Sequence, residues 1–336
     1  MQRYPDINNL LRVLRREPTE TPVLFELFLN QTLHELFAGR KATDDSPFED
    51  LRLQVEAFAA AGYDYTTAMG CPMSFCPGAG HQKETISLND MAYIQNREDF
   101  DQYSWPVPDS CDFSSLERIV PFLPGNMKLM VLGPGGVLEN VIALLGYDNL
   151  CYMLYDDKEL VADIFDRVGS ILLRYYEISL QYSSVGLLMV NDDWGFNSST
   201  FLSVEDMRRF VFPWHRRIVE AAHRAGRPAI LHSCGNMTQV FEDIIEDMHF
   251  DGKHSYEDKI VPVEDCYRIW GDRIAILGGI DVDFLVRSTE EEIRERCLNI
   301  LDLTTQGGYA LGSGNSIPQY IPVTKYRSMI ETRELR

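Results

Sequence analysis

A chain of 336 residues, 45% of them hydrophobic, can bury one large core and falls at the upper end of what a single α/β barrel occupies. Its formal charge of −20 disfavours nucleic acid and anionic membranes as partners, because both require a positive face. The seven cysteines are scattered and odd in number, and neither a long apolar span nor an apolar signal core is present, so a soluble cytoplasmic protein with reduced thiols is expected.

In chain order, eight short apolar or β-branched runs alternate with amphipathic stretches: residues 22–28, 63–69, 128–132, 186–191, 227–231, 250–254, 273–277 and 308–311. Helices are predicted over 47–61, 157–182, 203–225, 237–248, 283–305 and 323–332. Ser203 followed by Glu205 and Asp206 is a helix start, and Gly226 a helix stop. Such alternation makes a parallel sheet with crossover helices, and eight units close most simply into a (β/α)8 TIM barrel. Residues 1–336 are read as one barrel domain. Within it, 70–124 is rich in proline and poor in periodicity, and is expected to be an excursion over the barrel mouth.

Barrel enzymes of this kind place their chemistry at the C-terminal ends of the strands. Those ends carry Glu26, Cys71 with Cys76, Gly133-Pro134-Gly135-Gly136, Asp192-Asp193-Trp194, His232 with Cys234, His254 with Glu257, Gly278-Gly279-Ile280-Asp281, and Ser313-Gly314-Asn315. His232 and Cys234 stand two residues apart at the end of an apolar run, so in an extended chain both face one side and can share one soft ion. The N-terminal amides of helix 237–248 would favour a Cys234 thiolate. The plainer reading is a half-buried histidine and a structural cysteine. One of the adjacent acids Asp192 and Asp193 should point into the mouth, and Asp192 is taken as the ligand or general base. Glu26 is an acid on an otherwise apolar strand, which is usually functional or paired. Asp281 either lines the site or caps the helix that follows it. No P-loop, dinucleotide fingerprint or nucleophile elbow is present, which argues against phosphate binding and nucleophilic hydrolysis.

In this order and spacing, Asp192-Asp193-Trp194-Gly195, His232-Ser233-Cys234-Gly235-Asn236, Gly278-Gly279-Ile280-Asp281, and Gly307-Gly308-Tyr309 leading to Gly312-Ser313-Gly314 and Ile317-Pro318 resemble the uroporphyrinogen decarboxylase superfamily. That superfamily also contains methylcobamide-dependent methyltransferases. Its decarboxylases carry arginines after the first strand, where this chain reads Val23-Leu24-Phe25-Glu26-Leu27-Phe28-Leu29-Asn30. A polyanionic porphyrinogen would there meet Glu26, Asp192 and Asp193, each contact costing on the order of a kcal/mol. The methyltransferase branch is the better match. Resemblance to it implies His232 and Cys234 as zinc ligands, with a further thiolate from the last strand end. Ser313 stands at that place, which leaves Glu26, Asp192, Glu257 or Cys71 to complete the metal site.

The resemblance further implies Asp192, Glu26 and Asp281 as catalytic groups, and Asp193, Trp194, Ser313, Asn315 and Glu257 along the substrate path. The expected reaction moves a methyl group between a methyl-corrinoid on a small carrier protein and a small acceptor, a thiol or a reduced pterin. One alternative is decarboxylation of a tetrapyrrole or another carboxylate, with Arg118 or Arg287 at the mouth. Another is a non-catalytic corrinoid- or tetrapyrrole-binding protein.

Overall fold

The computed structural model describes residues 4–76 and 92–336. Seven strands form one parallel sheet in which each strand pairs with the next in sequence: β1 Tyr65–Met69, β2 Lys128–Leu132, β3 Val185–Asn191, β4 Ala229–His232, β5 Gly252–His254, β6 Ala275–Leu277 and β7 Tyr309–Ala310. These segments read as near-continuous apolar runs because a parallel sheet under crossover helices is buried on both faces. All seven residues of β3 but the last are buried.

The predicted strand at 22–28 is not a strand of this sheet. It meets the far edge through a single bridge, Leu24 to Leu311, with the Phe25 amide donating to the Leu311 carbonyl at 2.8 Å and the Leu311 amide to the Val23 carbonyl at 2.8 Å. Toward β1, the Tyr65 hydroxyl takes the place of a ladder, accepting from the Glu26 amide at 2.7 Å and donating to the Glu26 carbonyl at 2.6 Å. A side chain thus satisfies the two backbone groups that strand pairing would use. The outcome is a curled seven-stranded sheet nearly closed by an irregular eighth segment.

Helix Ile7–Leu14 covers the N-terminal end of the strands, burying Ile7, Leu10, Val13 and Leu14. A Cβ at Gly186 would approach Ile7, and one at Gly252 would approach Leu14, so both glycines let the helix sit close. The helix predicted at 47–61 is found as Pro47–Ala61, capped by the Ser46 side chain and ended by Gly62 with φ of 95°. Three other predicted helices are interrupted. Between Val204 and Arg224 the ladder widens into a π turn at Met207–Val211, because Pro213 has no amide to donate back. The span 283–305 divides into Val282–Arg287 and Glu290–Leu303, the second restarted by a Thr289 and Glu292 capping box. The helix predicted from Met237 begins instead as a three-residue 3-10 turn at Thr238–Val240 and continues as a π turn at Asp243–Asp247.

The flanks of the predicted excursion run along the helices outside the sheet. The Tyr93 amide donates to the Leu144 carbonyl at 2.7 Å, the Ser184 hydroxyl to the Leu116 carbonyl at 2.5 Å, and Arg174 pairs with Asp109. Its centre, 77–91, lies outside the described residues. Among the described residues no helix is long and apolar enough to cross a membrane.

Candidate active site

The C-terminal ends of β3 and β4 bring Asp193, His232 and Cys234 together, with one ligand atom from each lying within 4.8 Å of the others. His232 ends β4 and Cys234 follows two residues later. The His232 Nε2 stands 3.8 Å from the Cys234 sulfur and 3.9 Å from an Asp193 oxygen. The loop after β4 is clamped to the loop after β3, because the Cys234 amide donates to Asp193 at 2.8 Å and the Trp194 amide to the Ser233 hydroxyl at 3.2 Å. A nitrogen, a sulfur and a carboxylate oxygen fit catalytic zinc, which takes three protein ligands and leaves a position open. Among the described residues the acid that stands with His232 and Cys234 is Asp193, whereas Glu26, Asp192, Glu257 and Cys71 are not part of this group.

Burial holds His232 well below the usual imidazole range, so its ring is neutral and can offer a lone pair. Burial, with the Asp193 charge second, pushes the Cys234 thiol up to about 12. This reverses the sequence expectation of a helix-stabilised thiolate, since no regular helix begins at residue 237. The Cys234 sulfur also meets the Ser255 hydroxyl and the Asn315 amide nitrogen, both at 3.4 Å. Ser255 is held at φ of 83°, a conformation uncommon outside glycine and frequent at functional sites.

Lys253 is the site's unforeseen cation. It is buried, donates to the Ser255 carbonyl, lies 4.3 Å from the centre of the Tyr256 ring, and is lowered by burial to about 8. With Glu257, Ser255 and Gly235 it lines a cavity of about 30 Å³ beside the cluster. A lysine inside the apolar run 250–254 was the available signal. His254 was also placed at a strand end without a role; it stands opposite His232 across the β4 to β5 ladder.

Asp192, the acid favoured from sequence, faces away from this cluster. Its Oδ2 accepts from the Leu138 amide at 3.0 Å, the Trp194 indole at 2.9 Å and His215 Nε2 at 2.8 Å, and its Oδ1 from the Glu139 amide at 2.9 Å. It thereby caps helix Val137–Leu145 from another strand, where the helix dipole also favours an anion. A Cβ on Gly136 would stand 2.2 Å from this carboxyl group, which is why the Gly133 to Gly136 turn ends in glycine. Trp194, expected along the substrate path, is fully buried against Phe212 and His215, where it braces the loop after β3. Glu139, at the same helix start, is raised by burial and then by the Asp192 and Asp193 charges.

Asp281 is likewise occupied: Oδ1 caps helix Val282–Arg287 through the Asp283 and Phe284 amides, and Oδ2 accepts from the Asp258 amide at 2.9 Å. Glu26 and Ser313 pair beneath the mouth, the serine hydroxyl donating at 2.6 Å and its amide at 3.2 Å, while burial raises Glu26 to about 8. Arg118 lies over the Phe48 ring and Arg287 pairs with Asp283 on its own helix, so neither supplies the cationic mouth a decarboxylase reading asked for.

A parallel barrel-like sheet with a histidine, a cysteine and an acid at its C-terminal mouth defines a family already suggested by the motifs. Residues 65–335 match the family described as uroporphyrinogen decarboxylase (URO-D), and the chain belongs to that family. Within it, the similar proteins found are methyltransferases, which supports the methylcobamide-dependent branch. Over 188 residues the chain is 25% identical to the methylated-thiol–coenzyme M methyltransferase of Methanosarcina mazei; the match covers 56% of this chain and about half, 48%, of that relative. A solved methyltransferase structure from Methanosarcina mazei shares the fold over 97% of both chains with a TM-score of 0.70 at 14% identity.

Proposed function

We propose that this protein is a corrinoid-dependent methyltransferase, formed as a single barrel domain, that moves a methyl group between a methyl-corrinoid on a small carrier protein and a low-molecular-weight acceptor. The observation that carries the reading is the Asp193, His232 and Cys234 cluster at the mouth of a barrel whose relatives transfer methyl groups. A thiol is favoured over a reduced pterin as the small-molecule partner, because the curated relative's name pairs a methylated thiol with coenzyme M and mentions no pterin.

Zinc held by these three side chains would supply the positive charge that favours an acceptor thiolate over a thiol at neutral pH. The acceptor sulfur then attacks the methyl carbon. In the methyl-corrinoid substrate the carbon–cobalt bond would break with its electron pair left on cobalt, and the thiol proton would go to solvent. Asn315 and Ser255 set the position of the Cys234 sulfur. Asp192 keeps the loop bearing Asp193 in place through its four donors. Glu257 and Lys253 border the cavity where an acceptor would approach.

Zinc-loaded protein incubated with methylcobalamin and either small thiols or a reduced pterin provides the test. Demethylation of the corrinoid is expected in the visible spectrum with a thiol. Binding of the corrinoid without turnover on any acceptor would instead make this a carrier-type binding protein and overturn the enzymatic reading.

A further inference from the structure

We propose that His254 is a positioning residue that fixes the tautomer and orientation of His232, so that the bare Nε2 of His232 faces the metal position. This rests on the reading of Asp193, His232 and Cys234 as a metal cluster. His232 and His254 are register partners on adjacent parallel strands, so their side chains leave the sheet on the same face. Their Nδ1 atoms are 2.9 Å apart, a separation that requires one proton between them.

The carbonyl of Ser313 decides which ring carries it. His254 Nε2 lies 3.3 Å from that oxygen, which can only accept, so the single proton of a neutral His254 sits on Nε2. His254 Nδ1 is then bare and accepts from His232. The His232 proton is on Nδ1, and its Nε2 lone pair is left toward the Cys234 sulfur at 3.8 Å and Asp193 at 3.9 Å. The opposite arrangement would set the His254 Nε2 lone pair against the carbonyl and block His232 Nε2 with a hydrogen.

The anchor is itself rigid. The Ser313 carbonyl also accepts from the Gly279 amide at 2.9 Å. A Cβ at Gly278, whose φ is 67°, would come within 2.2 Å of that oxygen and 3.1 Å of the His254 ring, so glycine is required for the approach. Phe25 also packs against His254, with ring centres 5.1 Å apart. Ser313 thus serves the site through its backbone, while its hydroxyl is committed to Glu26.

Two measurements on the full chain test the proposal. In metal-free protein with 15N-labelled histidine, long-range imidazole correlations should show His232 protonated on Nδ1 and His254 on Nε2, the assignments made by loss of each signal in His232→Asn and His254→Asn. A His232 ring carrying its proton on Nε2 would overturn it. In chelator competition, His254→Leu should bind zinc 10–100-fold more weakly than wild type, the range typical of losing such a partner. His254→Asn, whose side-chain oxygen can still accept from His232, should recover most of the affinity. Equal zinc affinity in wild type and His254→Leu would refute the positioning role. Expected tautomers in a protein that binds no zinc would leave the orienting contact standing and refute the metal reading.

Discussion

Replacing Asp192 with asparagine separates a brace from a base. In the wild type the carboxylate accepts four hydrogen bonds, three on Oδ2 and one on Oδ1, all from groups with no alternative partner described. An asparagine can keep its oxygen at the Oδ2 position, but its NH2 then faces the Glu139 amide, donor against donor. Losing one charge-assisted bond costs about 1.5–3 kcal/mol, and leaving a buried N–H unpaired about 1–3 kcal/mol, so the variant should be destabilised by about 3–5 kcal/mol. That corresponds to a fall in Tm on the order of 4–7 °C by differential scanning calorimetry for a chain of this length. Zinc content should persist, and methyl transfer measured below the lowered Tm should remain detectable, since the Asp192 carboxylate makes none of its hydrogen bonds to the cluster and its backbone bond to His232 is unchanged by the substitution. A variant with wild-type Tm and abolished transfer would show that Asp192 acts on substrate and that the bracing role is wrong.

Glu26 gives a pH signature. Its carboxyl is raised by burial to about 8 from a free value of 4.5, so the folded state holds the proton more tightly than the unfolded one, and stability is lost as pH rises from the lower value toward the upper. Glu26→Gln removes this slope and can still accept from the Ser313 amide and donate to its hydroxyl. In urea unfolding, the variant's stability relative to wild type should rise by about 2–3 kcal/mol between pH 5 and pH 7, whereas parallel curves would contradict the buried neutral acid. Gly136→Ala places a methyl group 2.2 Å from the Asp192 carboxyl and should cost about 2–4 kcal/mol, read as a lowered Tm; an unchanged Tm would mean that the turn is free to move.

Seven strands were legible because buried parallel strands appear as apolar runs, Leu187 to Val190 and Ala229 to Leu231 among them. The eighth was misjudged because nothing in Val23 to Phe28 announces that the Tyr65 hydroxyl, 39 residues away, takes over the pairing of Glu26. His232 and Cys234 were visible through the two-residue strand period. Choosing between Asp192 and Asp193 was not possible from spacing, since adjacent side chains take opposite faces and the deciding contact is a helix start 54 residues earlier at Leu138. His254 escaped for a related reason: its partnership with His232 depends on strand register. Asp281 offered both a capping and a site reading, and the structure commits its oxygens to three backbone amides.

The most direct measurement is elemental analysis of zinc per chain in the purified wild type, Cys234→Ser and Asp193→Asn proteins after loading and removal of free metal. About one zinc ion is expected in the wild type, from the three-ligand cluster, and strong loss in both variants. A wild type without zinc, or an Asp193→Asn protein that retains it fully, would contradict the assignment of Asp193, His232 and Cys234 as the metal-holding centre.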